Sequence, residues 1–392
     1  MSCKKINKTA RGICVMALVF LSFPGFAQRQ AQFASSAQPY WYILEQGKLH
    51  FRNAEYGKAL LSFEDARRVR AGRFARMEQD MILVMSLPDA RRLGDDLGLL
   101  ETYIARQKHS QAAAALDELY YHIPRERFEN SANSVLRELD RLKAYPEAEY
   151  WLGETYKAEG ELALAVSQYK KALAAWDRLE TPAFASEILY KAADAHRYMQ
   201  EYQEMEKCLL EVLNGSNTPE GGPRDSLWNE KTRQFTRSSM ARIMENEGVG
   251  RFLTLYRYDN TRVEKAHRLL GFYYYASNRH ISAAEHLRFA FLIQNTVLIN
   301  EIQKRNYDFT FTALDDIMAA VRGRPDIDAW MDEIKYYRTV YYLASSLFAS
   351  GKIARATELW TFLANRAEAG EWRSRSQTQL QNPYIDQLIE LP

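Results

Sequence analysis

The sequence predicts an all-α fold, a superhelical stack of about six to eight helical hairpins, which is an α-solenoid. Ala, Leu, Glu, Lys, Arg and Gln, which are strong helix formers, dominate the 392 residues. The alternation of apolar and polar residues that is typical of strands is nearly absent. In addition, a spaced pattern of small and aromatic residues recurs along the chain. A unit of this size cannot bury its apolar face alone, so each copy predicts neighbours.

The first 27 residues predict a secretory signal peptide. Four basic residues precede an almost wholly apolar run at 13–23, and small residues occupy the −3 and −1 positions of a cleavage site between Ala27 and Gln28. The apolar run of about eleven residues is shorter than the ~20 that a bilayer core requires. We therefore expect cleavage and no membrane span afterwards, with an uncleaved signal anchor as the alternative. Residues 28–39 are predicted to be a linker.

Removal of the signal peptide changes the charge and the cysteine content. The remaining chain has 48 Lys and Arg against 50 Asp and Glu, so its formal net charge is −2 rather than +2. A nearly neutral chain gives no electrostatic reason to expect nucleic acid as a partner. Cys208 is the one cysteine left, which excludes an intramolecular disulfide. We expect it to fill a small apolar gap, with pairing between chains as the alternative.

The clearest copy of the recurring pattern spans residues 146–176. With Pro146 as position 1 and Gly160 at the turn, positions 8, 11, 20, 24 and 27 are occupied by Gly153, Tyr156, Ala165, Tyr169 and Ala172. This spacing resembles the tetratricopeptide repeat, a helix-turn-helix unit of roughly 34 residues. Small residues lie where the two helices touch, and large aromatic residues fill the space beside them.

Other copies of the pattern extend the resemblance over most of residues 40–365. They begin at Tyr40, Leu93, Ser186, Glu264 and Tyr337. The copies from Leu93 and Ser186 are weaker than the others. The stretches 227–258 and 294–325 are predicted to be helical and hairpin-sized, although they match the pattern poorly.

The copies divide the chain into two predicted helical regions, 40–213 and 227–365. Residues 214–226 between them are rich in Asn, Gly, Ser and Pro, and this composition predicts an exposed loop or hinge. Residues 366–392 are predicted to form a tail or a capping helix.

The resemblance to tetratricopeptide proteins implies that the first helix of each hairpin lines a concave groove. Positions 2, 5, 9 and 12 of the repeat would face this groove. Aromatic and Arg side chains at such positions are the types that dominate protein interfaces. The candidate partner-binding residues are Trp41, Tyr150, Tyr190, Arg268, Phe272, Tyr275 and Tyr341. The alternative for several of them is packing between repeats.

The sequence predicts no catalytic centre, no metal site and no cofactor. Its histidines lack zinc-ligand spacing, and neither a nucleophile elbow nor a phosphate-binding loop occurs. We therefore expect an exported scaffold that binds a protein or peptide partner in the bacterial cell envelope, as an assembly or accessory factor. The alternative is a transporter-associated protein that binds a small molecule in an aromatic cavity. A catalytic role, carried by the poorly matching segments, comes third, and the oligomeric state stays open.

Overall fold

The computed structural model describes residues 38–85, 119, 121–124, 126–127, 132–215 and 231–387. Every regular element within these ranges is a helix, which confirms the predicted all-α fold. The predicted signal peptide, nearly all of the linker, most of the copy that begins at Leu93 and nearly all of the loop at 214–226 lie outside the described residues.

The helices follow one another along the chain and pack mainly as hairpins with short connections. In chain order they are α1 (Tyr40–Arg52), α2 (Tyr56–Met85), α3 (Ala132–Leu142), α4 (Pro146–Ala158), α5 (Leu162–Ala174), α6 (Ala185–Tyr198), α7 (Tyr202–Asn214), α8 (Lys231–Glu247), α9 (Val249–Leu255), α10 (Thr261–Ala276), α11 (His280–Gln303), α12 (Leu314–Val321), α13 (Pro325–Glu333), α14 (Tyr336–Ala349), α15 (Ile353–Ala364) and α16 (Glu371–Gln381).

Five hairpins share one turn geometry. Position 15 of the repeat adopts the left-handed conformation, with φ between 58° and 85°, in each of them. These residues are Ala54, Gly160, Gln200, Asn278 and Gly351. In each turn the N–H of position 16 donates to the carbonyl of position 11 over 2.8–2.9 Å, which closes the end of the first helix. The hairpins that were predicted from Tyr40, Pro146, Ser186, Glu264 and Tyr337 are thereby confirmed.

Within the hairpins, position 8 of the first helix faces position 24 of the second. In three hairpins position 8 is glycine, and a Cβ added there would lie 2.4–2.5 Å from the opposing side chain. The pairs are Gly47 with Phe63, Gly153 with Tyr169, and Gly271 with Leu287. The alanines at position 20 are fully buried at the same helix contacts, and these are Ala59, Ala165, Ala283 and Ala356. Close backbone approach therefore explains the periodic small residues.

The hairpins stack so that the second helix of one contacts the first helix of the next. The contacts are α2 with α4, α5 with α6, α7 with α10, α11 with α14, and α15 with α16. First helices also meet, as α1 does with α4 and α14 does with α10, and α14 contacts α16 as well. This side-by-side stacking is that of an α-solenoid in general. Since α7 packs directly on α10, the helical regions before and after the predicted loop are in contact.

One of the two poorly matching stretches differs from the hairpin that we predicted. Residues 294–303 continue α11, which runs for 24 residues, so the prediction of a separate hairpin at 294–325 is wrong. No glycine or proline interrupts residues 280–303, and the middle of α11 is buried by its neighbours. In the described part of the stretch 227–258, α8 and α9 contact each other, and they also contact the second helices α15 and α11.

Cys208 lies on α7 and packs between two apolar clusters of the stack. Its side chain is half-buried, and burial raises the pKa of the thiol to about 11. The thiol therefore stays protonated at neutral pH. The expectation that Cys208 fills an apolar gap agrees with this packing, and pairing between chains stays a hypothesis.

Candidate binding surface

The structure separates the seven candidate partner-binding residues into one exposed and six buried side chains. Trp41 on α1 is 55% exposed, and its ring contacts Tyr42 edge to face. Each of the other six packs within or between hairpins, which is the alternative that the sequence left open for several of them. These are Tyr150, Tyr190, Arg268, Phe272, Tyr275 and Tyr341.

Tyr150 and Tyr190 each connect neighbouring elements of the stack. The ring of Tyr150 lies 4.8 Å from that of Phe184 and 6.2 Å from that of Tyr169. The Tyr190 hydroxyl donates to the carbonyl of Arg262 (2.6 Å) and accepts the N–H of Ala266 (3.1 Å). These two hydrogen bonds of the Tyr190 hydroxyl connect α6 with α10, so Tyr190 holds two consecutive hairpins together.

Arg268 belongs to a buried polar network between α10, α11 and α14. Its Nε lies 2.9 Å from Oε1 of Glu264, and the Gln294 amide donates to the same oxygen over 2.6 Å. A buried charge is tolerated only when it is paired and hydrogen-bonded. The network satisfies that requirement, which explains an Arg at this position without a partner protein.

Phe272, Tyr275 and Tyr341 come together in one aromatic cluster with Tyr342 and Trp372. Consecutive ring centroids lie 5.0–5.7 Å apart, and most ring pairs meet edge to face. Sequence reasoning found the first three but missed the last two. Tyr342 occupies position 6, which the repeat does not assign to the groove, and Trp372 lies on α16, beyond the last copy of the pattern.

The chain itself contacts this aromatic cluster at Tyr341. After α16, residues 383–387, which we call the C-terminal segment, run back towards α14. The Asp386 carboxylate forms an ion pair with Arg375 and accepts a hydrogen bond from the Tyr341 hydroxyl (3.4 Å). Gln379 donates to the Tyr341 hydroxyl oxygen over 3.1 Å. At α14, the surface that the first helices form is therefore occupied by the protein's own C-terminal residues.

The opposite part of the surface, on α4 and α6, is more open and is crossed by ion pairs. Asp194 on α6 pairs with Lys157 on α4 and with Arg197 (2.8 Å), while Lys191 pairs with Glu154 (3.1 Å). The guanidinium of Arg197 also lies 4.4 Å from the ring centroid of the exposed Tyr198. Paired charges next to an exposed aromatic ring could form polar contacts with an extended polypeptide.

A cleft of about 840 Å³ lies between α9, α15 and the connection that precedes α12. Its lining combines charged side chains, among them Arg251, Asp315, Arg355 and Glu358, with apolar and small residues. This cleft is not the aromatic cavity that a transporter-associated ligand-binding role predicts. None of the seven candidate residues lines it.

Comparisons with known proteins name no activity for this chain. No protein-family model matches the chain. The chain is 25% identical over 379 residues to an uncharacterised protein of Treponema pallidum (strain Nichols), and the match covers 96% of this chain and 98% of that protein. Among the described residues, no helix has the length and apolarity needed to cross a membrane.

Proposed function

We propose that this protein is an exported scaffold of the tetratricopeptide type that binds another protein, or an extended segment of one, in the bacterial cell envelope. The observation that carries the proposal is the recurrence of one hairpin geometry, with the same left-handed position 15 and the same contact between positions 8 and 24. A stack of such units presents a continuous surface of first helices, which is how repeat proteins bind their partners.

The composition of that surface favours a polypeptide partner. Trp41 and Tyr198 are exposed on first helices, and Arg197 and Lys157 lie beside Tyr198. Aromatic and Arg residues are enriched where protein interfaces derive most of their binding free energy. The proposal includes neither a catalytic step nor a cofactor. It suits an accessory or assembly factor of an envelope complex better than a small-molecule binder, because the aromatic cluster is filled by the protein's own side chains.

The binding proposal is tested by cross-linking capture from cell envelopes with two matched variants. Trp41→Ala removes the exposed aromatic ring on α1, and Leu61→Ala removes an exposed apolar side chain on α2 of the same hairpin. Truncating an aromatic hot-spot residue typically costs at least ~2 kcal/mol, or about thirtyfold in affinity. We expect Trp41→Ala to reduce capture of the partner to that extent, while Leu61→Ala leaves it unchanged. Equal capture by both variants and the original protein would exclude α1 as the binding site.

A further inference from the structure

The C-terminal segment is held on the stack mainly by one side chain. Helix α16 ends at Gln381 because residues that precede a proline avoid the helical conformation, and Pro383 follows Asn382. The N–H of Tyr384 donates to Oε1 of Gln379 over 2.9 Å. Tyr384 and Ile385 are 45% and 42% exposed, whereas Asp386 is only 3% exposed. The buried part of this segment is therefore essentially one carboxylate.

The carboxylate enters a pocket that is built from polar groups on α14 and α16. Arg375 supplies the positive charge, and the Tyr341 hydroxyl donates to Oδ2 of Asp386. Burial raises the pKa of Tyr341 to about 12, so at neutral pH its hydroxyl keeps the proton that it donates. Because Gln379 donates to the hydroxyl oxygen, the Tyr341 proton is free to point at the carboxylate.

The aromatic cluster positions the positive charge of this pocket independently of Asp386. The guanidinium of Arg375 lies 5.1 Å from the ring centroid of Tyr341 and 4.9 Å from that of Trp372. Such contacts between a cation and aromatic faces are attractive. If Asp386 leaves, Arg375 stays between these rings without its counterion. The Arg375 side chain is only 27% exposed, and its fixed positive charge next to the Tyr341 hydroxyl matches the charge and the acceptor atoms of a carboxylate, so the emptied pocket favours another carboxylate.

We infer that this pocket binds an acidic side chain of an extended partner segment, and that residues 383–387 occupy the same pocket in cis as a built-in competitor. The inference deepens the proposed scaffold function and rests on it. The cis segment has a high effective concentration, in the millimolar range for short linkers, so a partner has to displace it. Its exposed Tyr384 and Ile385 contribute little to holding it, which makes that displacement feasible.

The test uses the full-length chain and a fluorescein-labelled peptide with the sequence of residues 382–392. Fluorescence anisotropy measures its binding to the original protein and to Asp386→Asn. Charge-assisted hydrogen bonds typically contribute ~1.5–3 kcal/mol, equivalent to about tenfold or more in affinity. We expect Asp386→Asn to bind the peptide at least about tenfold more tightly than the original protein, because its own segment competes less well.

Two controls separate the acidic contact from general charge attraction. A peptide that carries Asp386→Asn should no longer bind the Asp386→Asn protein. A peptide that carries Glu390→Gln has the same net charge as that first control peptide, but it should still bind. Adding Arg375→Gln to the Asp386→Asn protein should also abolish the gain in affinity. If Asp386→Asn keeps its helical circular-dichroism spectrum but binds the peptide no better than the original protein, the inference is overturned.

Hydrogen exchange of the original protein gives a second readout that does not depend on a variant's folding. Excess peptide should accelerate amide exchange at Tyr384, whose N–H donates to Gln379 Oε1, and leave α14 unchanged, because the segment is displaced while the stack stays folded. Unchanged exchange at Tyr384 would contradict the inference. If the peptide tests fail while Trp41-dependent capture persists, the scaffold proposal stands and only the acidic pocket is lost.

Discussion

Replacement of Tyr341 by alanine is expected to lower the free energy of unfolding by about 3–5 kcal/mol, the range typical of truncating a large buried aromatic residue. The Tyr341 side chain is fully buried, and its ring contacts those of Tyr342 and Trp372. Its hydroxyl also connects Gln379 with Asp386. Denaturant unfolding followed by circular dichroism measures this loss.

The matched control for that variant is Trp41→Ala. Trp41 is also an aromatic residue on a first helix, but its side chain is largely exposed. We expect its removal to change the free energy of unfolding by no more than ~0.5 kcal/mol, as is usual for surface substitutions. Equal stability of the two variants would contradict the assignment of Tyr341 to packing and Trp41 to the surface.

The second large effect is expected at position 8 of the repeat. A Cβ on Gly153 would lie 2.5 Å from the ring of Tyr169, which is itself fully buried. Gly153→Ala should therefore overpack the hairpin and destabilise the protein by about 1–3 kcal/mol. Parallel unfolding measurements of this variant and the original protein give the difference.

Gly72→Ala is the control for the helical preference of alanine. Gly72 lies inside α2 with no atom within 4 Å of an added Cβ, so this change should stabilise the protein by up to ~1 kcal/mol. The two glycine variants should thus differ in sign. A Gly153→Ala protein that is as stable as Gly72→Ala would disprove the contact between positions 8 and 24.

The local part of the fold could be predicted from the sequence because it depends on short spacings. Gly153 and Tyr169 are separated by 16 residues, and a hairpin brings exactly that spacing into contact, so the pair predicts both helices and the turn between them. The same holds for Gly271 and Leu287. Such pairs do not indicate where a helix ends when no glycine or proline follows. For this reason the sequence did not predict that α11 continues to Gln303.

The candidate binding surface was harder to predict, since positions that face the groove also meet the next hairpin. Tyr190 was chosen by its repeat position, yet its hydroxyl bonds to the backbone at the start of α10. The contact of Asp386 with Arg375 and Tyr341 leaves no pattern in the sequence, because it depends on how the chain turns after Gln381. Such polar contacts between residues that belong to different helices can be identified only from the folded structure.

We expect this helical protein to function outside the cytoplasm, and the mass of the native protein tests that expectation most directly. Intact mass spectrometry is performed on the protein recovered from separate envelope and cytoplasmic fractions of cells that produce it naturally. The account predicts a protein in the envelope fraction whose first residue is Gln28, since cleavage is expected after Ala27. A soluble cytoplasmic protein that retains residues 1–27 would contradict that expectation.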